Sequence, residues 1–304
     1  MIKLKNIGIL PFLYKAKNRL FSTDKDVMAI CARNGAYEYL KRYAYACKSD
    51  RGEWYPAGKK KIIWTCWLQG LENAPAIVQE CICKMREYAG DFEVRVIDAT
   101  NMGEYVNLPA YIVEKHDKGI IPHAHFSDMV RLSILQTYGG IWIDSTILLT
   151  APLPGFVTAS DFFAFSTDGA GKVKMGVCMI TSCAAHPIIE DVYSMLCEYW
   201  KHENKLVSYS IFHIFLTIAI ESSAQNQSLW EHSPKVRSTY LDMLLPQLGK
   251  PYNSDTYQLA TQLSSMHKLT YKFEEYDIDP KMQGTLYDVI INGKDAKTHA
   301  NPAL

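Results

Sequence analysis

HFSDMVRLSILQTYGGIWIDSTILLTAP, residues 125–152, is the stretch whose reading decides the fold. Met129, Val130, Leu132, Ile134 and Leu135 recur at helical spacing, and Asp128 and Arg131 stand three residues apart on one face of that helix. Tyr138, Gly139 and Gly140 stop the helix, and Ile141-Trp142-Ile143 reads as a short buried strand that ends on Asp144. A carboxylate at the end of a buried strand costs stability unless it is paired or holds a ligand. Helix, glycine turn, strand and terminal acid form the layout by which α/β proteins present a ligand at the edge of a sheet.

The flanking sequence extends this pattern. Residues 62–68 form a continuous apolar run, a buried strand, and Pro75 opens a helix that runs to about residue 89. Phe92, Val94 and Val96 alternate as a second strand, and residues 109–116 read as a short helix. Strands are predicted at 161–165 and 177–181, followed by helices at 187–202 and 208–221. Strands alternating with helices indicate an α/β sheet protein. Residues 26–47 read as a helix, and Pro56-Ala57-Gly58 breaks the pattern. The expected organisation is a small, basic, mainly helical extension over 1–58 and a main domain over 59–304.

Composition sets the outer limits. A chain of 304 residues with 48% hydrophobic and 21% charged content has the make-up of an ordinary globular protein with one substantial core. Its formal net charge of zero argues against nucleic-acid binding as the main activity. The N-terminal residues show no small-residue cleavage site after their apolar patch, so the expected location is the cytoplasm. Residues 211–220 are the most apolar run, too short for the ~20 residues a bilayer span needs, and read as a buried helix. The eight cysteines show no pair of C-x2-C knuckles and read as reduced thiols rather than a zinc site.

Charge is concentrated at the start. Lys3, Lys5, Lys15, Lys17 and Arg19 interleave with Ile7, Ile9, Leu10, Phe12, Leu13, Leu20 and Phe21. Such a segment can rest on an anionic membrane surface, at the inner face of the plasma membrane. The alternative is a solvated helical cap on the main domain.

Several motifs carry a resemblance. Ser127-Asp128-x-x-Arg131 followed by Tyr138-Gly139-Gly140-Ile141-Trp142-Ile143-Asp144-Ser145-Thr146 resembles the core of bacterial capsular polysaccharide synthesis proteins, glycosyltransferases related to family 32 and to the large glucosylating toxins. The stretch Lys61 through Gly70, with Glu72-Asn73-Ala74-Pro75, resembles that family's first strand and turn, and His267-Lys268-Leu269-Thr270-Tyr271-Lys272 a late family segment. The likeness covers roughly residues 59–290 and implies a GT-A-like nucleotide-sugar fold with a mixed central sheet flanked by helices. It also implies transfer of a sugar from a nucleotide donor, a UDP-sugar, to a polysaccharide or lipid-linked glycan with retention of configuration.

The resemblance assigns roles residue by residue. Asp144 and Arg131 are the catalytic candidates, Asp144 touching either a metal or the donor's ribose. Asp128 and Arg131 resemble a pair that grips ribose and sugar hydroxyls, for which carboxylate and guanidinium are suited as acceptor and forked donor. As residues alone, the two make an ordinary i,i+3 ion pair worth a few tenths of a kcal/mol. Trp67 falls where relatives place an aromatic against the base, with Trp64 as the alternative, and either could be core. Gly139 and Gly140 leave room beside a donor, a role compatible with ending the helix. Lys268 and Lys272 are candidate diphosphate contacts, and His267 with Asp144 a candidate ligand pair for Mn²⁺ or Mg²⁺. His123 and His125 read as loop and helix-start residues.

Two departures bear on this reading. Many relatives carry D-x-D where this chain has Asp144-Ser145-Thr146, which removes a hard oxygen ligand and leaves Thr146 or water to complete a metal shell. Ser208 stands where the resemblance leads one to expect an aspartate. A non-catalytic sugar-nucleotide or glycan-binding scaffold is therefore the competing reading. A glycoside hydrolase, which needs two carboxylates flanking a cleft, is a third.

Overall fold

The structure is a computed structural model, and it describes residues 25–48, 52–167 and 173–292. In chain order the described elements begin with α1 (Lys25–Leu40), β1 (Ile62–Cys66), α2 (Ala76–Glu87), β2 (Glu93–Ile97), α3 (Ala110–Asp117), α4 (His123–Tyr138) and β3 (Gly140–Ile143). They continue with β4 (Ile147–Leu149), β5 (Phe162–Ser166), β6 (Met175–Ser182), α5 (Pro187–His202) and α6 (Ile211–Ser222). The last are α7 (Ala224–His232), α8 (Ser254–Leu263), β7 (Met266–Lys268) and α9 (Leu286–Asn292). Contacts divide the chain into two units. One takes the described residues of Met1–Lys60 with Gly103–Gly140 and Ser160–Val236; the other takes Lys61–Met102, Ile141–Ala159 and the described residues of Arg237–Leu304.

The second unit carries three parallel strands in the order β2-β1-β3, with Ile63 opposite Val94 on one side and Ile141 on the other. Ile62, Ile63, Trp64 and Thr65 are all buried, as a central parallel strand covered on both faces requires. Helix α2 makes the crossover from β1 to β2 and buries Ile77, Val78, Cys81, Ile82 and Met85, an apolar stripe at helical spacing. Each such side chain contributes about 1.5–3 kcal/mol by leaving water. Past β3 the chain turns through an Ile147 N–H to Asp144 C=O bond of 2.9 Å into β4. Strand β4 pairs antiparallel with β7, setting Ile147 against Lys268, Leu148 against His267 and Leu149 against Met266.

The first unit is mainly helical, with β5 and β6 paired antiparallel. Helix α6 is apolar almost all round, and Ile211 through Ile220 are buried apart from His213, so the run expected to be a buried helix is one. No helix among the described residues is long and apolar enough to cross a membrane. Parallel strands in one unit and an antiparallel pair in the other make a mixed α/β protein, as the alternating pattern predicts. The expected helix over 26–47 is α1 followed by a tighter 3-10 segment, Lys41–Ala46. Helices α7, α8 and α9 and the short strands β4 and β7 have no counterpart in the sequence-level expectation.

The described part of the N-terminal segment is anchored within its unit by polar side chains. The Tyr39 and Tyr43 hydroxyls both donate to Oε1 of buried Glu203, and Tyr37 donates to Glu221. Burial first, and then the neighbouring carboxylates, push all three phenols well above their ordinary pKa, so they act as hydrogen-bond donors. The Lys48 N–H donates to the fully buried Asp191 at 2.9 Å. Residues 1–24, which carry most of the basic and apolar pattern expected at a membrane surface, lie outside the described residues. None of the eight cysteines is joined in a disulfide.

Gly139 ends α4 with φ 61° and ψ −159°, and its N–H closes the last turn onto Leu135 O at 3.0 Å. A Cβ there would lie 2.7 Å from both Ala184 N and Ser182 O, so a side chain has neither the backbone angles nor the space. Gly139→Ala is expected to destabilise the fold by roughly 2–4 kcal/mol, combining a strained φ/ψ with a backbone clash. Urea unfolding followed by circular dichroism measures it, and a change below ~0.5 kcal/mol would show that the backbone relaxes freely there.

Candidate functional site

Strands β1 and β3 are neighbours about 4.8 Å apart, with Trp64 opposite Trp142. Trp67 and Asp144 therefore lie just past the carboxyl ends of adjacent parallel strands, where open α/β sheets bind ligands. The Asp144 carboxylate is held from two sides. Trp142 Nε1 donates to its Oδ1 at 3.0 Å, and the Lys268 ammonium donates to its Oδ2 at 3.0 Å. The same ammonium donates to Thr146 Oγ1 at 2.7 Å. Asp144, Thr146 and Lys268, predicted separately, thus form one cluster, with Asp144 23% and Lys268 31% exposed and open to a solute.

The β4–β7 register explains how Lys268 arrives. It stands across from Ile147, one residue beyond Thr146, and the Leu269 N–H bonds Thr146 O at 2.8 Å. Successive strand residues point to opposite faces. His267 consequently faces away from Asp144, fully buried, with Nε2 3.4 Å from Thr150 Oγ1. The expected His267–Asp144 ligand pair does not form, because adjacent residues of one strand cannot both face the Asp144 carboxylate. Lys272 pairs with Glu275 at 3.1 Å on the surface.

The aromatic candidates also separate. Trp64 is wholly buried and belongs to the core. Trp67 is half-buried and meets Tyr271 edge to face, with ring centroids 5.1 Å apart. Tyr271 is 42% exposed, so this pair offers a π surface to a solute. The late motif assigns Tyr271 no role, and only its exposure and its contact with Trp67 distinguish it from a core aromatic. Trp142 and Asp242 were also missed. The Asp242 carboxyl is raised in pKa by desolvation and pulled back by the nearby Lys268 ammonium.

A divalent cation finds a poor donor set here. Mn²⁺ or Mg²⁺ calls for a shell of about six hard oxygens, whereas Asp144 and Thr146 already bind an ammonium. Among the described residues no three His, Cys, Asp or Glu side chains are grouped to hold a metal ion.

Asp128 and Arg131 belong to the first unit. Arg131 Nη2 lies 3.5 Å from Asp128 Oδ1, Nη1 donates to Val177 O, and the guanidinium sits 5.4 Å from the Phe212 ring centre. Buried His125 places Nδ1 3.5 Å from Asp128 Oδ2 and meets the exposed Tyr209 ring edge to face. The guanidinium is only 6% exposed and is committed to Val177 O as well as to its i,i+3 partner. At Gly139 the space left by the missing side chain is taken by the chain's own backbone.

Burial depresses the His267 imidazole from its ordinary value to about 4. The unfolded chain takes up this proton near pH 6.5 and the folded one only near pH 4, so stability falls as pH drops between them. His267→Leu should flatten that part of the stability–pH curve, by roughly 3 kcal/mol between its ends. Urea midpoints from pH 7.5 to 4 for both proteins provide the check; parallel curves would mean that His267 titrates alike in the folded and unfolded chains.

The family described as capsular polysaccharide synthesis protein matches residues 22–290. The O-glycosyltransferase braB of Annulohypoxylon truncatum is 34% identical over 100 residues, 30% of this chain and 24% of that protein. The glycosyltransferase afumC of Aspergillus fumigatus is 31% identical over 97 residues, 29% of this chain and 25% of that one. These matches span about a quarter of the curated relatives' length. A solved structure titled PaToxG Glycosyltransferase aligns over 93% of this chain and 95% of its own, at 14% identity and a TM-score of 0.40. The family match takes in the helix–glycine–strand–acid stretch, both sheet-edge aromatics and the late lysine, and on that extent the chain belongs to the capsular polysaccharide synthesis protein family.

Proposed function

We propose that the protein is a glycosyltransferase with a GT-A-like fold, moving a sugar from a UDP-sugar donor to a capsular or other surface polysaccharide, or to a lipid-linked glycan. The observation that carries this reading is the cluster at the carboxyl ends of β1 and β3. The Trp67–Tyr271 pair is suited to a base, and stacking there contributes about 1–3 kcal/mol. Lys268 brings positive charge toward a diphosphate, and Asp144 is an acceptor for ribose or sugar hydroxyls. As the glycosidic bond breaks the leaving diphosphate gains negative charge, and a fixed cation next to it stabilises the transition state. Retention of anomeric configuration is part of the same proposal, and the family likeness is what supports it. The protein would work in the cytoplasm, with the basic residues of 1–58 at the inner face of the plasma membrane.

The scaffold reading keeps one observation in its favour. Ser208, at the position expected to carry an acid, accepts a hydrogen bond from Ser210 N at 3.2 Å and provides no carboxylate. Incubation with a panel of nucleotide sugars separates the two readings: transfer supports the enzyme, binding without turnover the scaffold. A UDP-sugar should raise the melting temperature more than GDP- or CMP-sugars, because a ligand stabilises the state that binds it. A preference for GDP-mannose would remove the UDP assignment and leave the transferase standing.

Asp144→Asn keeps the shape and removes the charge. Turnover should fall by roughly 10²-fold, while stability changes by no more than about 1 kcal/mol, since the lost ion pair is partly exposed. Steady-state kinetics and thermal unfolding measured together make the test. Loss of activity only in proportion to loss of fold would make Asp144 a structural residue.

A further inference from the structure

The Lys268 ammonium, a candidate diphosphate contact, also bridges two side chains of the D-S-T motif. Asp144 and Thr146 are the first and third residues of the D-S-T motif, which stands where the resemblance leads one to expect D-x-D. In this chain both side chains direct oxygens at a cation, and it is an ammonium: Lys268 Nζ lies 3.0 Å from Asp144 Oδ2 and 2.7 Å from Thr146 Oγ1. These are hydrogen-bond lengths, longer than the ~2.0–2.6 Å of Mg²⁺–O and Ca²⁺–O bonds.

The arrangement is built into the backbone. Pairing of β4 with β7 sets Lys268 opposite Ile147, and the Leu269 N–H to Thr146 O bond locks that register beside the motif. Trp142 Nε1 fixes the other oxygen of Asp144 at 3.0 Å, so the carboxylate is oriented toward the lysine. The Asp242 carboxyl stands in the field of the same ammonium. Lys268 is 31% exposed, enough for an anion in solution to reach it.

We infer that Lys268 is the resident cation of the donor site, binding the diphosphate in the position a divalent metal would take, so that donor binding proceeds without added metal. This rests on the nucleotide-sugar reading given above and specifies how that site meets the phosphate charge. The residue acts by direct contact with the donor, and the loss of the second carboxylate from the motif is the counterpart of its presence.

Calorimetric titration of the full chain with UDP and with uridine, in EDTA and in MnCl₂, tests the inference. Wild-type affinity for UDP should agree within about threefold between the two buffers. Lys268→Met should weaken UDP by about tenfold or more in EDTA, the scale of one charge-assisted phosphate contact. It should leave uridine affinity and melting temperature nearly unchanged, and Lys268→Arg should retain most of the UDP affinity. A wild-type protein whose UDP affinity collapses in EDTA, or a Lys268→Met variant that binds UDP normally, overturns the inference while the nucleotide-donor reading stands. Equal weakening of UDP and uridine with a lowered melting temperature also overturns it, by making Lys268 structural. Failure of UDP, GDP and CMP to bind in either buffer removes the donor reading itself, and the inference with it.

Discussion

A carboxylate at the end of a buried strand has to be compensated, and the compensation of Asp144 is the interaction on which the candidate site depends. Ile141, Trp142 and Ile143 are almost wholly buried, so the carboxylate that follows them, itself 23% exposed, keeps only part of its hydration and draws on partners. Trp142, two residues back, contributes an indole N–H, and Lys268, 124 residues away in sequence, contributes an ammonium. The second contact needs a whole local structure: a turn after Asp144, the short β4, and β7 paired to it in one register. The candidate site is therefore a product of that small two-stranded sheet as much as of the motif that marks it.

The same register separates two neighbours in sequence. Lys268 is delivered to the carboxylate and keeps solvent contact, while His267 is turned into the interior and held neutral by desolvation. Strand periodicity alone decides which of the two can take part in chemistry. That is why a histidine read as a ligand behaves as core, and a lysine read as a phosphate contact also completes a cluster with Asp144 and Thr146. In the other unit, buried polar groups do structural work of a different kind. Glu203 accepts from Tyr39 and Tyr43, and Asp191 from Lys48 N and Asn226, so the chain after α1 is tied down by bonds that would be costly to leave unmade.

Much of this was legible in the sequence. The central helix, its glycine stop and the short strand to Asp144 appear where periodicity and turn chemistry put them, as does the βαβ unit built on residues 62–97. The apolar run at 211–220 is a buried helix. What stayed hidden is short or distant. Three-residue strands such as Ile147–Leu149 and Met266–Lys268 carry no measurable periodicity, and their existence depends on each other. The roles of Trp142 and Tyr271 were equally invisible, because an aromatic side chain in a string of letters reads as core until its neighbours are known.

The amino-acid sequence by itself determined the family, the α/β class and the identity of the residues that cluster at the sheet edge, because these follow from local periodicity, glycine placement and motif. The tertiary structure alone decided which of them meet. It put Lys268 rather than His267 on Asp144, Trp67 rather than Trp64 at the surface beside Tyr271, and the Arg131 guanidinium on a backbone carbonyl. The physical reason is that side-chain partnership depends on strand register and burial, and both are set by residues far apart in the chain.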